Sequence, residues 1–347
     1  MERITLQPGY SISRVIKGGW HLAGGHGTIS EEQALEDMRY FVRAGVTTFD
    51  CADIYTGVEE LIGKFKKIYK DEFRAEDLPP IQIHTKYVPD YNILATLKKE
   101  DTTKIIDRSL KRLGVERLDL VQFAWWDYQF PNYVETALHL SDLQKAGKIR
   151  YLGITNFDAK RIREMLDAGL SFAANQVQYS VLDHRVETDI EPLAKAYNIP
   201  FLCYGTVAGG FLSDRYLGAE DPSQPLENRS LTKYRLIIDE FGGYELFQEA
   251  LHVLREIAEA YRVGIAEVAS RYILQKPMVA GVIIGARNRS HLESLQQLNH
   301  FTLTQNDLEK IDSIVAQSKG PKGAFYELER DKTGKHGAIM KYNLNEI

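Results

Sequence analysis

The chain has 347 residues, of which 44% are apolar and 26% charged, and its net charge is −5. This is the composition of a globular protein with a sizeable core, and without a long basic run it argues against nucleic acid as the main partner. Two cysteines, Cys51 and Cys203, make no disulfide framework. No window approaches the ~20 apolar residues of a membrane span, and MERITLQPGYSISRV has no signal-type apolar run, so no membrane association and a cytoplasmic location are expected.

The first residues, ITLQPGYSI, read as a short hairpin that plugs the floor of a barrel built by the rest of the chain. After it, strand-like runs alternate with amphipathic helical segments. SRVIKGGW precedes a helix from Ser30, with Ser30 as N-cap, Gln33 completing a capping box and Gly45 as the stop. TTFDCA precedes VEELIGKFKKIY, and IQIHTKY precedes TTKIIDRSLKRLG. LDLVQFA precedes YVETALHLSDLQKAG, and IRYLGITN precedes DAKRIREMLDAG. FAANQVQYS precedes VETDIEPLAKAYN. IPFLCYGT is joined by a long loop, Val207–Gly243, to YELFQEALHVLREIAEAY. VAGVIIGA precedes RSHLESLQQLN. Eight strand–helix units predict a parallel sheet closed into an α/β (β/α)8 TIM barrel. An open doubly wound sheet would show G-x-G-x-x-G after its first strand, which GGWHLAGGHG lacks. The reading is one domain over residues 1–347, with a core of about 12–317 and an extra C-terminal helix and tail, 318–347, that packs across the barrel mouth or lies partly loose.

Barrel chemistry sits at the C-terminal ends of strands. Strand 2 ends at Asp50, with Tyr55 in the following loop, and strand 3 ends at Lys86. An ammonium beside a phenol lowers its pKa, and a carboxylate keeps that ammonium charged, so Tyr55 is the expected proton donor or acceptor. Thr155, Asn156 and Gln176 offer amide and hydroxyl partners at strand ends 5 and 6. Tyr204 offers a flat face, the glycines of YGTVAGGF permit close backbone approach, and Arg287 can fork a phosphate. That inventory suits a nicotinamide dinucleotide phosphate. Trp20, Tyr87, Trp125 and Trp126 are expected to wall the substrate site. His21 and His26 flank the end of the first strand as loop histidines. No paired Cys/His or H-E-x-x-H spacing points to a metal, and no G-x-S-x-G points to acyl transfer.

The stretches AGVTTFDCADIYTGVEELIGKF, IHTKY, RLGVERLDLVQF, IRYLGITNF, NQVQYS, CYGTVAGGFLS and VIIGARNRSHLE together resemble the aldo-keto reductase superfamily in order and spacing. The resemblance implies a (β/α)8 barrel with an N-terminal hairpin, which binds NADP(H) extended across its mouth without a Rossmann domain. It implies catalytic roles for Asp50, Tyr55 and Lys86. It places Trp20, Asp50, Thr155, Asn156 and Gln176 at the nicotinamide, with Tyr204 stacked on its ring. Gly205, Thr206, Gly210 and Leu212 fall in the stretch that wraps the pyrophosphate, and Gly285, Arg287 and His291 at the adenosine 2′-phosphate end. Leu295 stands where the family often has an asparagine.

The family's catalytic histidine should close strand 4, immediately before a tryptophan. Ala124 occupies that position, followed by Trp125, and His139 lies a full helix further on. Removing one preorganised donor costs ~10²–10³ in rate. The expectation is an NADP-dependent oxidoreductase acting on a small carbonyl or alcohol substrate, with Tyr55 as proton donor or acceptor. Ala124 opens two alternatives: a reaction shifted to a double bond or a non-redox natural-product or sugar substrate, or an NADPH-binding sensor subunit with little turnover.

Overall fold

The computed structural model describes residues 1–24, 30–222, 225–286 and 288–345. Two antiparallel strands, β1 (Arg3–Gln7) and β2 (Tyr10–Ser13), form the hairpin. Eight parallel strands come next: β3 (Val15–Gly18), β4 (Thr48–Asp50), β5 (Gln82–Tyr87), β6 (Leu118–Phe123), β7 (Ile149–Thr155), β8 (Asn175–Gln178), β9 (Phe201–Tyr204) and β10 (Val279–Ile284). They close in sequence order, β10 pairing with β3, so the predicted barrel is the observed one. Leu6, Tyr10 and Ile12 of the hairpin pack under Ile16, Leu120, Leu202 and Ala280, which makes the hairpin the apolar plug of the barrel floor.

The outer layer is helical. In the first half it holds α1 (Glu31–Arg43), α2 (Val58–Ile68), α3 (Lys70–Ala75), α4 (Lys99–Leu113), α5 (Tyr133–Lys145), α6 (Ala159–Asp167) and α7 (Ile190–Tyr197). In the second it holds α8 (Arg229–Phe241), α9 (Tyr244–Tyr261), α10 (Ile265–Leu274), α11 (Leu292–Gln297), α12 (Gln305–Val315), α13 (Glu327–Arg330) and α14 (Lys335–Ala338). Each barrel helix turns one stripe inward; α4, for example, buries Thr102, Ile106, Ser109 and Leu113, the spacing of a single helical face. Ser30 caps α1 by accepting from the Gln33 amide at 3.1 Å. The expected capping box is not completed, because the Gln33 side chain donates instead to Asp37 at 3.0 Å. Gly45, at φ +85°, ends that helix in the left-handed region where a side chain is strained.

Val207–Gly243 is not the featureless loop its prolines suggest. It contains α8, capped by Asn228, whose side chain accepts from Leu231 N at 3.0 Å. Leu231, Tyr234, Ile237, Ile238 and Phe241 give this helix a buried stripe, and that periodicity outweighs the turn signal of Pro222 and Pro225. The C-terminal tail packs across the mouth. Arg185 is held between Asp183 at 2.7 Å and Glu329 at 2.9 Å, all three side chains at most 2% exposed. Asp90 accepts from the backbone amides of Leu344 and Asn345, both at 2.9 Å, and Tyr91 N donates to Tyr342 O at 2.9 Å. No helix among the described residues is long and apolar enough to cross a membrane.

Candidate active site

Register fixes which side chains meet inside the barrel. Asp50 of β4 pairs with His84 of β5, and Lys86, two residues on, pairs with Gln122 of β6. Neighbours in register share a face, so Asp50, Lys86 and Gln122 all project into the barrel. Lys86 Nζ donates to Asp50 Oδ1 at 2.5 Å and to the Cys51 carbonyl at 2.9 Å. Asp50 Oδ2 accepts from Gln122 at 3.0 Å and from Gln176 at 2.6 Å. Burial alone would lower the Lys86 pKa, but the Asp50 carboxylate reverses this and the net shift is upward. The ammonium therefore stays charged through the neutral range. Beneath it, buried His84 touches the Tyr10 hydroxyl at 3.1 Å, and desolvation together with the Lys86 charge lowers its pKa to about 3. The imidazole below the ion pair is thus uncharged at neutral pH.

Tyr55 follows β4 in a turn whose amide donates to Ala52 O at 3.0 Å. Asp53 braces the turn against β5 by accepting from Val88 N at 3.1 Å. This places the Tyr55 hydroxyl 3.5 Å from Lys86 Nζ and the Tyr55 ring 5.0 Å from that of Trp20. The expected lowering of the phenol pKa does not occur. Burial raises it and outweighs the opposing pull of Lys86, so Tyr55 is a protonated donor at neutral pH.

Almost every residue singled out from the sequence lines one cavity of about 720 Å³ at the barrel mouth. Asp50, Tyr55, Lys86, Ala124, Trp125 and Trp126 stand on one side, and Thr155, Asn156, Gln176 and Tyr204 on the next. Gly205, Gly210, Leu212, Gly285 and His291 extend it outward beside Trp20. Two do not conform. Tyr87 is fully buried outside the barrel with its hydroxyl 3.1 Å from Thr102; strand alternation puts Lys86 inward and therefore Tyr87 outward. Thr206 is buried with its hydroxyl 3.5 Å from Ser270 and does not line the cavity, because the backbone turns at Gly205, φ +78°. Arg287, like His26, lies outside the described residues.

Several wall groups carry free valences. Thr155 Oγ1 and Trp126 Nε1 are buried without a hydrogen-bond partner among the described residues. Asn156, at φ +62°, accepts the Tyr204 hydroxyl at 2.8 Å through its side-chain oxygen, which leaves its amide group to donate. The Trp125 indole, by contrast, is spent on the carbonyls of Asp127 and Phe130, each at 3.0 Å. A Cβ on Gly210 or Gly285 would meet nothing within 4 Å, so the backbone is open to the cavity at both points. Sequence reasoning missed Gln122, although a glutamine at an inward position of LDLVQF, whose other polar residue is Asp119, was a usable signal. It also missed Arg229 and Lys233 of α8 and the tail residues Tyr326, Ile339 and Leu344, all in the wall.

The eight strands thus form a closed parallel barrel with Asp50, Lys86 and Tyr55 assembled at its mouth. The chain belongs to the aldo/keto reductase family, whose model matches residues 14–316. It is similar to the aldo-keto reductase YhdN of Bacillus subtilis (strain 168), 27% identical over 314 residues covering 88% of this chain and 91% of that one. It is also similar to an NADH-specific methylglyoxal reductase of Escherichia coli (strain K12), 25% identical over 289 residues covering 80% and 86%. The fold matches that of the glycerol dehydrogenase AKR11B4 of Gluconobacter oxydans with a TM-score of 0.74 at 23% identity, over 90% of this chain and 95% of that one. Members of the family are oxidoreductases that act on carbonyl and alcohol groups and use nicotinamide cofactors.

Proposed function

We propose that the protein reduces a small carbonyl compound, or oxidises the corresponding alcohol, with NADP(H) as the preferred cofactor and Tyr55 as the proton-transferring group. The observation that carries this reading is the buried Asp50–Lys86 pair with the Tyr55 hydroxyl 3.5 Å from the ammonium, at the floor of the cavity. The residues present fit a nicotinamide dinucleotide. Thr155 Oγ1 is a buried polar atom lacking a partner among the described residues, the Asn156 side-chain amide is left to donate, Tyr204 gives a ring face, and the open backbone at Gly210 and Gly285 gives a path for phosphates. When bound, such a cofactor supplies or accepts the hydride.

The chain's own residues do the rest. Tyr55, kept protonated by burial, donates its proton to the carbonyl oxygen as that oxygen gains charge. The Lys86 ammonium, already donating toward the phenolic oxygen, stabilises the phenolate left behind. Asp50 holds Lys86, and Gln122 and Gln176 hold Asp50, so the unit is preorganised. Trp20, Trp125 and Trp126 exclude water from the reacting carbon. Ala124 supplies no imidazole from the end of β6, which makes Tyr55 the main donor and leaves room for a broader substrate. The same gap favours the second reading, a cofactor-binding subunit with low turnover. Preference for NADP over NAD rests on Arg287 and His291. Among the described residues, the hairpin closes the floor of the barrel, and α8 and the tail cover its mouth, which supports the single-domain reading.

The test is consumption of NADPH, and separately of NADH, over a panel of aldehydes and ketones. Turnover with kcat/KM higher for NADPH supports the proposal. Tight cofactor binding with negligible turnover across the panel replaces it with the sensor reading, and higher kcat/KM for NADH overturns the cofactor preference.

A further inference from the structure

Helix α13 of the tail follows residue 316, where the match to the family model ends, and its last two residues reach separate parts of the barrel rim. Glu329 turns toward the loop after β8 and binds Arg185 at 2.9 Å. Arg330, about 100° further round the helix, turns toward β6 and β7. These strands are neighbours, and their ladder stops at Phe123 and Ile154. Beyond that point Arg330 Nη2 donates to the Trp125 carbonyl at 3.1 Å and also to the Asn156 carbonyl. One nitrogen of the tail therefore bridges the two strand ends. The guanidinium lies 4.1 Å over the Tyr128 ring and does not line the cavity, so it works from behind the wall.

The residue it holds bears on the chemistry at the mouth. Asn156 has φ +62°, a conformation that residues other than glycine adopt sparingly and keep only where their surroundings over-determine it. Three contacts determine it here. Its backbone amide donates to Gln176 O at 3.4 Å, its side-chain oxygen accepts from the Tyr204 hydroxyl at 2.8 Å, and its carbonyl accepts from Arg330. The first two partners belong to the barrel strands, and the third is a charge brought by the tail. Together they aim the side-chain NH2 of Asn156, the donor left for a nicotinamide carboxamide. Without the guanidinium the carbonyl loses a charge-assisted bond, and the backbone can relax out of the left-handed region, carrying that NH2 with it.

Resting on the reading of this mouth as a nicotinamide-dependent one, we infer that Arg330 is a positioning residue: it fixes Asn156 from behind the wall and so sets the affinity of the mouth for the nicotinamide half of the dinucleotide. The adenosine half, at Gly285 and His291, does not depend on it. The tail thus contributes to cofactor binding through a side chain that does not itself enter the cavity.

The test is calorimetric titration of the wild type, Arg330→Met and Arg330→Lys. Each is titrated with NADPH and with 2′,5′-ADP, which lacks the nicotinamide half, and in parallel with NADH and with ADP. Arg330→Met keeps an apolar stem beside Tyr128 and removes the donors. It should weaken the reduced dinucleotide on the order of 10-fold, the scale of one charge-assisted hydrogen bond, and leave the fragment within about 2-fold of wild type. Arg330→Lys, which can reach one carbonyl, should recover part of the loss. In an Asn156→Gly background, where glycine accepts the positive φ without a side chain, the effect of Arg330→Met should vanish. Unchanged dinucleotide affinity in Arg330→Met, or an effect that persists in Asn156→Gly, would overturn this inference while leaving the oxidoreductase reading intact. An equal loss for dinucleotide and fragment would assign Arg330 a general structural role and overturn it as well. A wild type that binds neither dinucleotide overturns both. Should Arg330→Met fail to fold, Arg330→Lys decides by the same comparison of dinucleotide with fragment.

Discussion

Replacing Lys86 by Met removes the ammonium and keeps an apolar stem of similar length. In the wild type, Lys86 and Asp50 lie 2.5 Å apart with side chains only 7% and 5% exposed. At an effective dielectric of about 20 their attraction is about 6–7 kcal/mol. Desolvation of the two ions, several kcal/mol each, consumes most of it, so the intact pair contributes little net stability. Breaking it is a different matter. In Lys86→Met the Asp50 carboxylate stays buried with only Gln122 and Gln176 as donors, and a loss of about 3–5 kcal/mol of unfolding free energy is expected. The double variant Asp50→Asn, Lys86→Met removes the stranded charge and should recover at least half of that loss. Urea unfolding of the wild type, both single variants and the double variant at neutral pH, followed by far-UV circular dichroism, completes the cycle. A Lys86→Met protein within about 1 kcal/mol of wild type, or a double variant as unstable as the two singles added together, would refute the reasoning.

The phenol of Tyr55 is pushed above its ordinary value by burial, so the donor stays protonated through the neutral range. The reductive kcat/KM should then be flat from about pH 6 to 9 and fall only near or above the ordinary phenol pKa of ~10; a descending limb centred below pH 8 contradicts this. Ala124→His should raise kcat for small neutral aldehydes by roughly 10²–10³ if the imidazole reaches the carbonyl oxygen, and an unchanged kcat shows that it does not. Asp53 is pushed up to about 8 by burial and by the charge of Glu59, from an ordinary 3.8. Its folded pKa is the higher one, so its contribution to stability is complete below the unfolded pKa and is lost as pH rises through the folded one. The wild-type melting temperature should therefore fall between pH 5 and 9 in thermal scans, and Asp53→Asn should flatten that fall; a parallel curve for the variant is the contrary result.

The barrel and its reactive corner were legible because they follow local rules. Strand alternation and the strand-end rule put Asp50, Lys86, Asn156 and Tyr204 at one mouth before any coordinates, and the same parity excluded Tyr87, had it been applied to that residue. Gln122 was hidden only by its apolar surroundings. The roof was harder to read. Pro222 and Pro225 mask the helical period of α8, which therefore passed for loop, and with it Arg229 and Lys233. The tail has almost no period of its own. It is pinned by contacts such as Arg185 to Glu329, 144 residues apart in the chain, which no local pattern encodes. The pKa direction of Tyr55 was misjudged for a similar reason: the ammonium neighbour is visible in the sequence, but the depth of burial that outweighs it appears only when the barrel, roof and tail are assembled.

The central claim is that one phenol moves the proton at this mouth. Tyr55→Phe deletes a single oxygen and leaves the Trp20 contact and the dinucleotide-side residues in place. In stopped-flow single turnovers with prebound NADPH and an aldehyde, the rate of NADPH oxidation should drop by at least ~10², the scale of a lost positioned proton donor, with NADPH affinity within a few-fold of wild type. A Tyr55→Phe protein that oxidises NADPH at close to the wild-type rate would show that the proton comes from elsewhere and contradict the account.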